Sequence, residues 1–360
     1  MIKMKKRIIL ADYYGVCDEN GKAIGHSPKV IKEYSDLLKE NYSVSAAVSP
    51  CIAAEIDIAD YEDIYNLRYD VVEANYKKVS KRIFDKYKIF YNIYQVFKYG
   101  KEKNIFFYRV DFFFMLYLLL MRRSKNKKIA LVYQLGFGKG IVERLTTQLY
   151  RQSLKKLDGV IYTQKGMNIQ SVNCFYMPDY LYFEEKYKKY KQSVKKEKVI
   201  CLGAMNPYKK LEELVSVFNE LGYQLEIIGY FFDKSRFNEL CKKANKNITI
   251  IDSILDEEEY YAKMSEAKYA IMPYDMRQYT NRTSGVLIES AFLDTVPIAP
   301  EELLNNNGIS GVGYDELRDL KNFTWQNNTE KYLCSNREIV KKYYDEKKVR
   351  TELIQWIENI

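Results

Sequence analysis

Residues 199–230 read VICLGAMNPYKKLEELVSVFNELGYQLEIIGY, and this stretch decides the fold. Val199–Leu202 is an apolar run of strand length that stops on a glycine, Gly203. The spacing over Lys209–Leu221 predicts a helix, and Gln224–Ile228 a second strand ending at Gly229. Two apolar strands joined through one helix make a βαβ unit. Such a unit implies parallel strands whose sheet must be covered on both faces.

The same alternation continues in both directions. Downstream, helices are predicted over Lys234–Ala244, Asp256–Ala267 and Thr283–Phe292, with strands Ile248–Ile251, Tyr269–Pro273 and Val296–Ala299 between and after them. Asn336–Ile360 reads as one long terminal helix. Upstream, strands are predicted at Arg7–Ala11, Tyr42–Val48, Asn104–Arg109, Lys128–Tyr133, Gly159–Thr163 and Asn173–Met177. Helices fall at Lys29–Glu40, Asp111–Arg122 and Lys139–Lys156, and Ala59–Lys103 reads as mostly helical and basic. Glu184–Lys198 is charged and lacks Pro and Gly, so it is a linker or a solvated helix leading into one. The expected organisation is an α/β chain of two Rossmann-like domains with parallel sheets. They cover 1–190 and 191–335, and the terminal helix 336–360 packs back on the first. No sequence repeat of fixed period is present.

Composition agrees. A chain of 360 residues exceeds one ordinary domain, and 47% hydrophobic with 29% charged residues describes a globular protein. Tyr is abundant at 34, which is read as compositional flavour. Six scattered cysteines without a CxxC pair, and a single histidine, argue against zinc and fit a reducing cytoplasm. The basic stretch Met1–Leu10 leads into one apolar strand, with no signal-peptide core behind it. The net charge of +9 is uneven: Tyr76–Lys128 holds 15 Lys and Arg against three acids, interleaved with Tyr and Phe. That region is a solvated basic face, a contact for an anionic membrane surface, or a nucleic-acid site. The apolar run Phe112–Met121 is too short for a span, which needs about 20 residues.

In parallel α/β sheets ligands bind where strands end and loops lead into helices. Three such places carry suitable residues. Gly203–Lys210 brings Lys209 to a helix start, suited to a phosphate or simply to solvent. Arg282-Thr283-Ser284-Gly285-Val286 opens the helix that carries Glu289. There Thr283 or Ser284 can cap, Gly285 admits a ligand close to the backbone, and Arg282 offers a donor fork. Glu289 stands in the apolar stretch VLIESAF and could accept two ribose hydroxyls, or be an ordinary surface acid. The third place is the loop Gly21–Pro28, with Gly25 and the only histidine, His26. Asp12, Asp18 and Glu19, earlier in the same turn-rich stretch Asp12–Pro28, could hold a metal. A GxGxxG fingerprint is absent, against a nicotinamide or flavin enzyme.

Taken together these residues resemble the retaining glycosyltransferases of family 4, which have the two-domain GT-B fold. Gly203 and Lys209, followed by Leu211 and Leu214, match the family's strand–Gly–loop–Lys–helix pattern. Gly229, Thr283-Ser284-Gly285, Glu289 and Pro297 match its later motifs. The resemblance implies that Lys209 contacts the donor diphosphate and that the amides of Ser284, Gly285 and Val286 hold the distal phosphate. It implies that Glu289 binds the ribose, and that the Gly25–His26 loop faces the donor phosphates and the acceptor. The family often has a glutamate eight positions before Glu289, where this chain has Asn281, and an arginine where it has Ala204. Arg282 can replace that arginine's charge.

The expected activity is transfer of a hexose from a nucleotide diphosphate sugar to a glycan or lipid-linked acceptor in surface polysaccharide biosynthesis. His26, Lys209 and Arg282 are the expected catalytic residues. Gly25, Gly203, Gly229, Asn281, Thr283, Ser284, Gly285, Val286 and Glu289 are the expected donor-binding residues. Lys209, Arg282 and the helix start suffice to stabilise the leaving diphosphate, so no cofactor and no metal are expected. The expected setting is the cytoplasm, at the inner membrane face if region 76–128 meets lipid, with no nucleic-acid partner. A non-catalytic glycosyltransferase-like subunit and a nucleotide-sugar epimerase of the same fold are the alternatives.

Overall fold

The structure is a computed structural model. It describes the chain except residues 1–4, 18–20, 22, 24–26, 73–78, 121–125, 133–139, 164–168, 170–172, 192–193, 280–282 and 323–327. Among the described residues the strands are β1 (Lys6–Asp12), β2 (Val16–Cys17), β3 (Tyr42–Val48), β4 (Ile64–Asn66), β5 (Val71–Val72), β6 (Asn104–Phe107), β7 (Lys128–Val132), β8 (Gly159–Tyr162), β9 (Cys174–Tyr176), β10 (Lys196–Leu202), β11 (Leu225–Gly229), β12 (Ile248–Asp252), β13 (Ala267–Ile271), β14 (Val296–Pro300) and β15 (Val312–Tyr314).

The chain forms two compact units, Met1–Met177 with Val349–Ile360, and Pro178–Lys348. The first is built on a seven-stranded sheet in the order β4-β3-β1-β6-β7-β8-β9, and the second on a six-stranded sheet in the order β12-β11-β10-β13-β14-β15. Neighbouring strands are parallel in both. Strands buried on both faces must be apolar throughout, and Ile8–Ala11 and Val199–Leu202 are buried accordingly. In each sheet the strand order reverses beside the unit's first long strand, at β1/β6 and at β10/β13.

Local signals explain the helices of the second unit. Leu211–Leu221 buries Leu211, Leu214, Val215, Val217 and Phe218 on one side and ends on Gly222, whose φ of 65° is left-handed. Glu257–Glu266 starts at a capping box between Asp256 and Glu259.

Three expectations change. Ala59–Lys103 is helical over Val79–Tyr99 but also holds a strand that was not expected: Ile64–Asn66 pairs with Ala46–Val48 as β4. The edge strand is only three residues long, so its signal is tertiary pairing rather than local pattern. Asn336–Ile360 is not one helix either. Helix Thr329–Ile339 continues as a π-turn, Val340–Tyr344, and a new helix covers Glu346–Asn359. The break is at Asp345, where Tyr182 donates its amide to the Tyr344 carbonyl (2.7 Å) and accepts the Glu346 amide (3.1 Å). The Asp345 carboxylate accepts the Lys348 amide and starts the new helix (2.9 Å).

The division between units falls at Met177/Pro178 rather than at residue 190. Helix Glu184–Lys191 packs inside the second unit, with the Tyr187 ring 5.2 Å from Tyr261 and 5.1 Å from Phe292. In the first unit the last helix lays Trp356 on Phe175 (5.4 Å) and over Gly159, where a Cβ would come within 2.5 Å of the indole.

Candidate functional site

The second unit gathers residues from three strand ends beside its β10/β13 reversal. Gly203 follows β10 with φ +96°, a backbone conformation suited to glycine. Its amide donates to the Ile228 carbonyl (3.2 Å), and the Met205 amide to the Tyr230 carbonyl (2.9 Å). These bonds press the loop after β10 against the end of β11. A Cβ on Gly229 would lie 1.8 Å from the Gly203 oxygen, so only glycine permits the approach. The two glycines therefore leave bare backbone at this edge.

Lys209 lies two residues before helix Leu211–Leu221 and is only 4% exposed. Its Nζ donates to the Leu202 carbonyl (2.7 Å) and lies 3.8 Å from the Met205 sulfur. Burial holds its pKa below the ordinary lysine value. Among the described residues no carboxylate pairs with it. Such an ammonium, held by a carbonyl and a thioether, is short of negative charge. Arg236 holds the loop in place: its fork accepts nothing and donates to the Asn206 carbonyl (3.0 Å), the Lys209 carbonyl (2.7 Å) and the Glu212 carboxylate (2.6 Å).

Helix Gly285–Phe292 faces this loop. Measured from the direction of a Cβ on Gly203, Lys209 Nζ is 3.8 Å and Val286 Cγ2 3.9 Å away. Ser284 caps the helix, accepting the Leu287 amide (3.3 Å), with the Tyr274 hydroxyl 3.2 Å from its oxygen. The amides at a helix start have no partner within the helix, so those of Gly285 and Val286 suit an anion. A Cβ on Gly285 would meet the Tyr180 hydroxyl at 2.5 Å, which explains the glycine there. Thr283 is half-buried.

Glu289 is buried one turn further on. Its Oε2 accepts the Tyr260 hydroxyl (3.0 Å) and its Oε1 the Tyr261 hydroxyl (3.1 Å). Burial, then the Glu289 charge, drives both tyrosine pKa values up, so both hydroxyls stay protonated donors. The carboxylate is thus buried and oriented by two tyrosines from one helix, which rules out the ordinary surface acid that the sequence also allowed.

The structure brings Gly203, Lys209, Gly229, Ser284, Gly285, Val286 and Glu289 to neighbouring strand ends of one sheet. Gly25, His26, Asn281 and Arg282 lie outside the described residues. Sequence reading misses Arg236, Tyr180, Tyr260, Tyr261 and Tyr274. The adjacent tyrosines of EEEYYAKM, inside a helix with a clear capping box, were the available signal.

In the first unit Asp12 ends β1, fully buried. Its Oδ1 accepts the Tyr14 amide (3.0 Å), and its Oδ2 has no hydrogen-bond partner among the described residues. The Arg109 guanidinium stacks on the Tyr14 ring (4.9 Å). Asp18 and Glu19 lie outside the described residues. Cys17, Cys51 and Asp70 bring three potential ligand atoms within 4.8 Å of one another, a juxtaposition that scattered spacing hides. Burial pushes the Cys51 thiol up to about 12, which favours the protonated thiol over a ligating thiolate. Among the described residues no helix is long and apolar enough to cross a membrane.

No protein-family model matches the chain, and no curated protein matches it by sequence. Solved structures match over nearly its whole length. HepE from Anabaena, in complex with UDP, has a TM-score of 0.65 at 9% identity, covering 98% of this chain and 100% of that one. A trehalose-6-phosphate structure from E. coli bound with UDP-2-fluoro glucose has a TM-score of 0.66 at 8% identity, covering 99% of each. AviGT4, a glycosyltransferase involved in avilamycin A biosynthesis, has a TM-score of 0.56 at 10% identity, covering 98% and 96%. With its two parallel sheets and these matches over nearly its whole length, the chain has the GT-B fold.

Proposed function

We propose that the chain is a glycosyltransferase that takes its sugar from a nucleotide diphosphate sugar, UDP being the first candidate. The observation that carries this is the meeting of Lys209, the bare backbone of Gly203 and the start of helix Gly285–Phe292. A buried ammonium with no carboxylate partner among the described residues, beside helix-start amides, is complementary to a diphosphate. That group gains charge as the bond to the sugar breaks, so donors fixed beforehand favour its departure. In this reading Glu289, whose carboxylate Tyr260 and Tyr261 orient, takes ribose hydroxyls. Fold neighbours bound to UDP and UDP-2-fluoro glucose support the donor class.

The finer reading is a retaining hexosyltransferase of the family 4 type. Its acceptor is a glycan or lipid-linked intermediate of surface polysaccharide assembly, and it acts without metal. His26 and Arg282 join Lys209 in that reading, with Gly25 and Asn281 beside the donor.

The test is a thermal-shift and calorimetric screen with UDP, GDP, dTDP and CMP, repeated on Glu289→Ala. A nucleotide at a hundred times its dissociation constant adds about 2.7 kcal/mol of stability. One nucleotide should shift the wild type and lose its effect in the variant. No shift with any of the four would sink the donor-site reading. Activity abolished by EDTA and restored by Mg²⁺ would refute metal independence.

A further inference from the structure

We infer that one face of the first unit docks on an anionic phospholipid bilayer, with helix Ile141–Leu154 lying in the interface. Of the fifteen large apolar side chains exposed among the described residues, nine stand on three helices: Val79–Tyr99, Phe112–Leu120 and Ile141–Leu154. These helices share one buried core through Ile93, Phe114, Met115 and Tyr150, so they cover the same side of the sheet. The Phe90 ring contacts Tyr117 at 5.2 Å, joining the first helix to the second. Lys156 Nζ donates to the Leu119 carbonyl (2.6 Å), tying the end of the second to the third.

The third helix carries the argument. Ile141, Val142, Leu145 and Leu149 are all exposed. At 3.6 residues per turn they fall within an arc of about 100°. Its buried side is separate, made by Tyr150, Ser153 and Leu154. Arg144 and Arg151 are exposed on the opposite flank of the stripe. An apolar stripe beside arginines is the pattern of a helix that lies in a membrane interface. On the first helix Phe84, Tyr87 and Tyr94 repeat it with exposed aromatics.

Charge decides the occupant. Between Tyr76 and Lys156 the chain carries 20 Lys and Arg against four acids, Asp85, Glu102, Asp111 and Glu143. Asp85 is buried beside Lys88 (3.2 Å). Among the described residues Lys86, Lys98, Lys101, Arg144, Arg151 and Lys155 are exposed, and such cations beside exposed aliphatic chains fit lipid phosphates above acyl chains. Nucleic acid offers nothing to Ile141, Val142 and Leu145, and a second copy would bring the same positive charge against itself. The sequence offered membrane contact in 76–128 as one of three readings, and the apolar stripe carries that reading on to Leu149. The inference deepens the acceptor side of the proposed function, and it rests on that reading only in that a lipid-linked acceptor gives the docking its use.

The experiment is co-sedimentation of the full chain with phosphatidylcholine vesicles, with and without phosphatidylglycerol, at low and high salt. Leu145→Glu with Leu149→Glu is compared with Tyr87→Ser, and with Val194→Glu, an exposed apolar control in the other unit. The wild type and Val194→Glu should bind only phosphatidylglycerol vesicles, more weakly in high salt. The paired leucine variant should lose about tenfold or more, the scale of withdrawing one or two leucines from apolar surroundings, and Tyr87→Ser should bind more weakly than the wild type. No binding by the wild type, or equal binding by both sets of variants, overturns the inference. So does self-association of the wild type that the leucine variants abolish, without vesicle binding. UDP binding, measured on the same samples, reports separately on the donor site.

Discussion

Replacing Gly229 with alanine tests the architecture of the site most directly. The new Cβ would sit 1.8 Å from the Gly203 oxygen, 2.8 Å from its carbonyl carbon and 2.9 Å from Met205 Cε. Approaching a normal contact of roughly 3.5 Å requires a retreat of about 1.5 Å or more. The methionine methyl can swing away, but the Gly203 carbonyl is backbone. Moving it strains the Gly203–Ile228 and Met205–Tyr230 hydrogen bonds and the Ser253 amide on the Gly229 carbonyl. Each buried group left unsatisfied costs about 1–3 kcal/mol, and overpacking alone about 1–3 kcal/mol. The expected loss is roughly 3–5 kcal/mol, the range of a severe core lesion. Gly222→Ala is the control: φ is +65° and nothing lies within 4 Å of the added methyl. It should lose only the left-handed penalty of about 1–2 kcal/mol. Denaturant midpoints compare the two variants. Because two units can unfold in separate steps, hydrogen exchange at the Gly203 and Met205 amides reports the local damage. A loss for Gly229→Ala no larger than for Gly222→Ala would refute the close approach that places Lys209.

Two further outcomes follow from Lys209 and the half-buried Lys195. Lys209→Met removes a cation that burial disfavours, so thermal stability should hold or rise. UDP affinity should meanwhile fall tenfold or more, the scale of a charged hydrogen bond at about 1.5–3 kcal/mol, and unchanged UDP affinity in calorimetry would remove Lys209 from the donor site. Burial lowers Lys195 to about 8, below its ordinary value of 10.5. Between those values the unfolded chain binds the extra proton, so stability should rise with pH above about 8, at most about 1.4 kcal/mol per unit from this one group. Lys195→Met should flatten that rise in denaturant titrations between pH 8 and 9.5, and an unchanged slope would discard the assignment.

Much of the second unit was legible because its signals are local. Val199–Leu202 and Leu225–Gly229 are apolar runs closed by glycines, and Leu211–Leu221 repeats its apolar residues at helical spacing. Tyr42–Val48 was read to the residue for the same reason. Ile64–Asn66 was missed because three residues carry no period, and only the neighbouring edge of β3 makes them a strand. The break at Asp345 was missed because Tyr182, far away in sequence, supplies the hydrogen bonds that end the helix. Tyr260 and Tyr261 were lost among 34 tyrosines, since composition does not distinguish a hydroxyl aimed at Glu289 from one in solvent.

The sequence by itself determined the class of fold and the residues at strand ends that could meet an anion. Periodicity and glycine placement are properties of short stretches, and parallel sheets oblige ligands to the carboxyl edge. What only the tertiary structure decided is how those residues are held. Among the described residues no carboxylate pairs with Lys209, because of what packs around it and not because of its neighbours in the chain. Gly229 is required by a carbonyl 26 positions earlier, and Glu289 is oriented by a helix that ends before the site loop begins. Ile141, Val142, Leu145 and Leu149 likewise pass for core until the fold leaves them in solvent. Long-range contacts settle each case, because burial and hydrogen-bond partners depend on which surfaces meet once the sheets are built.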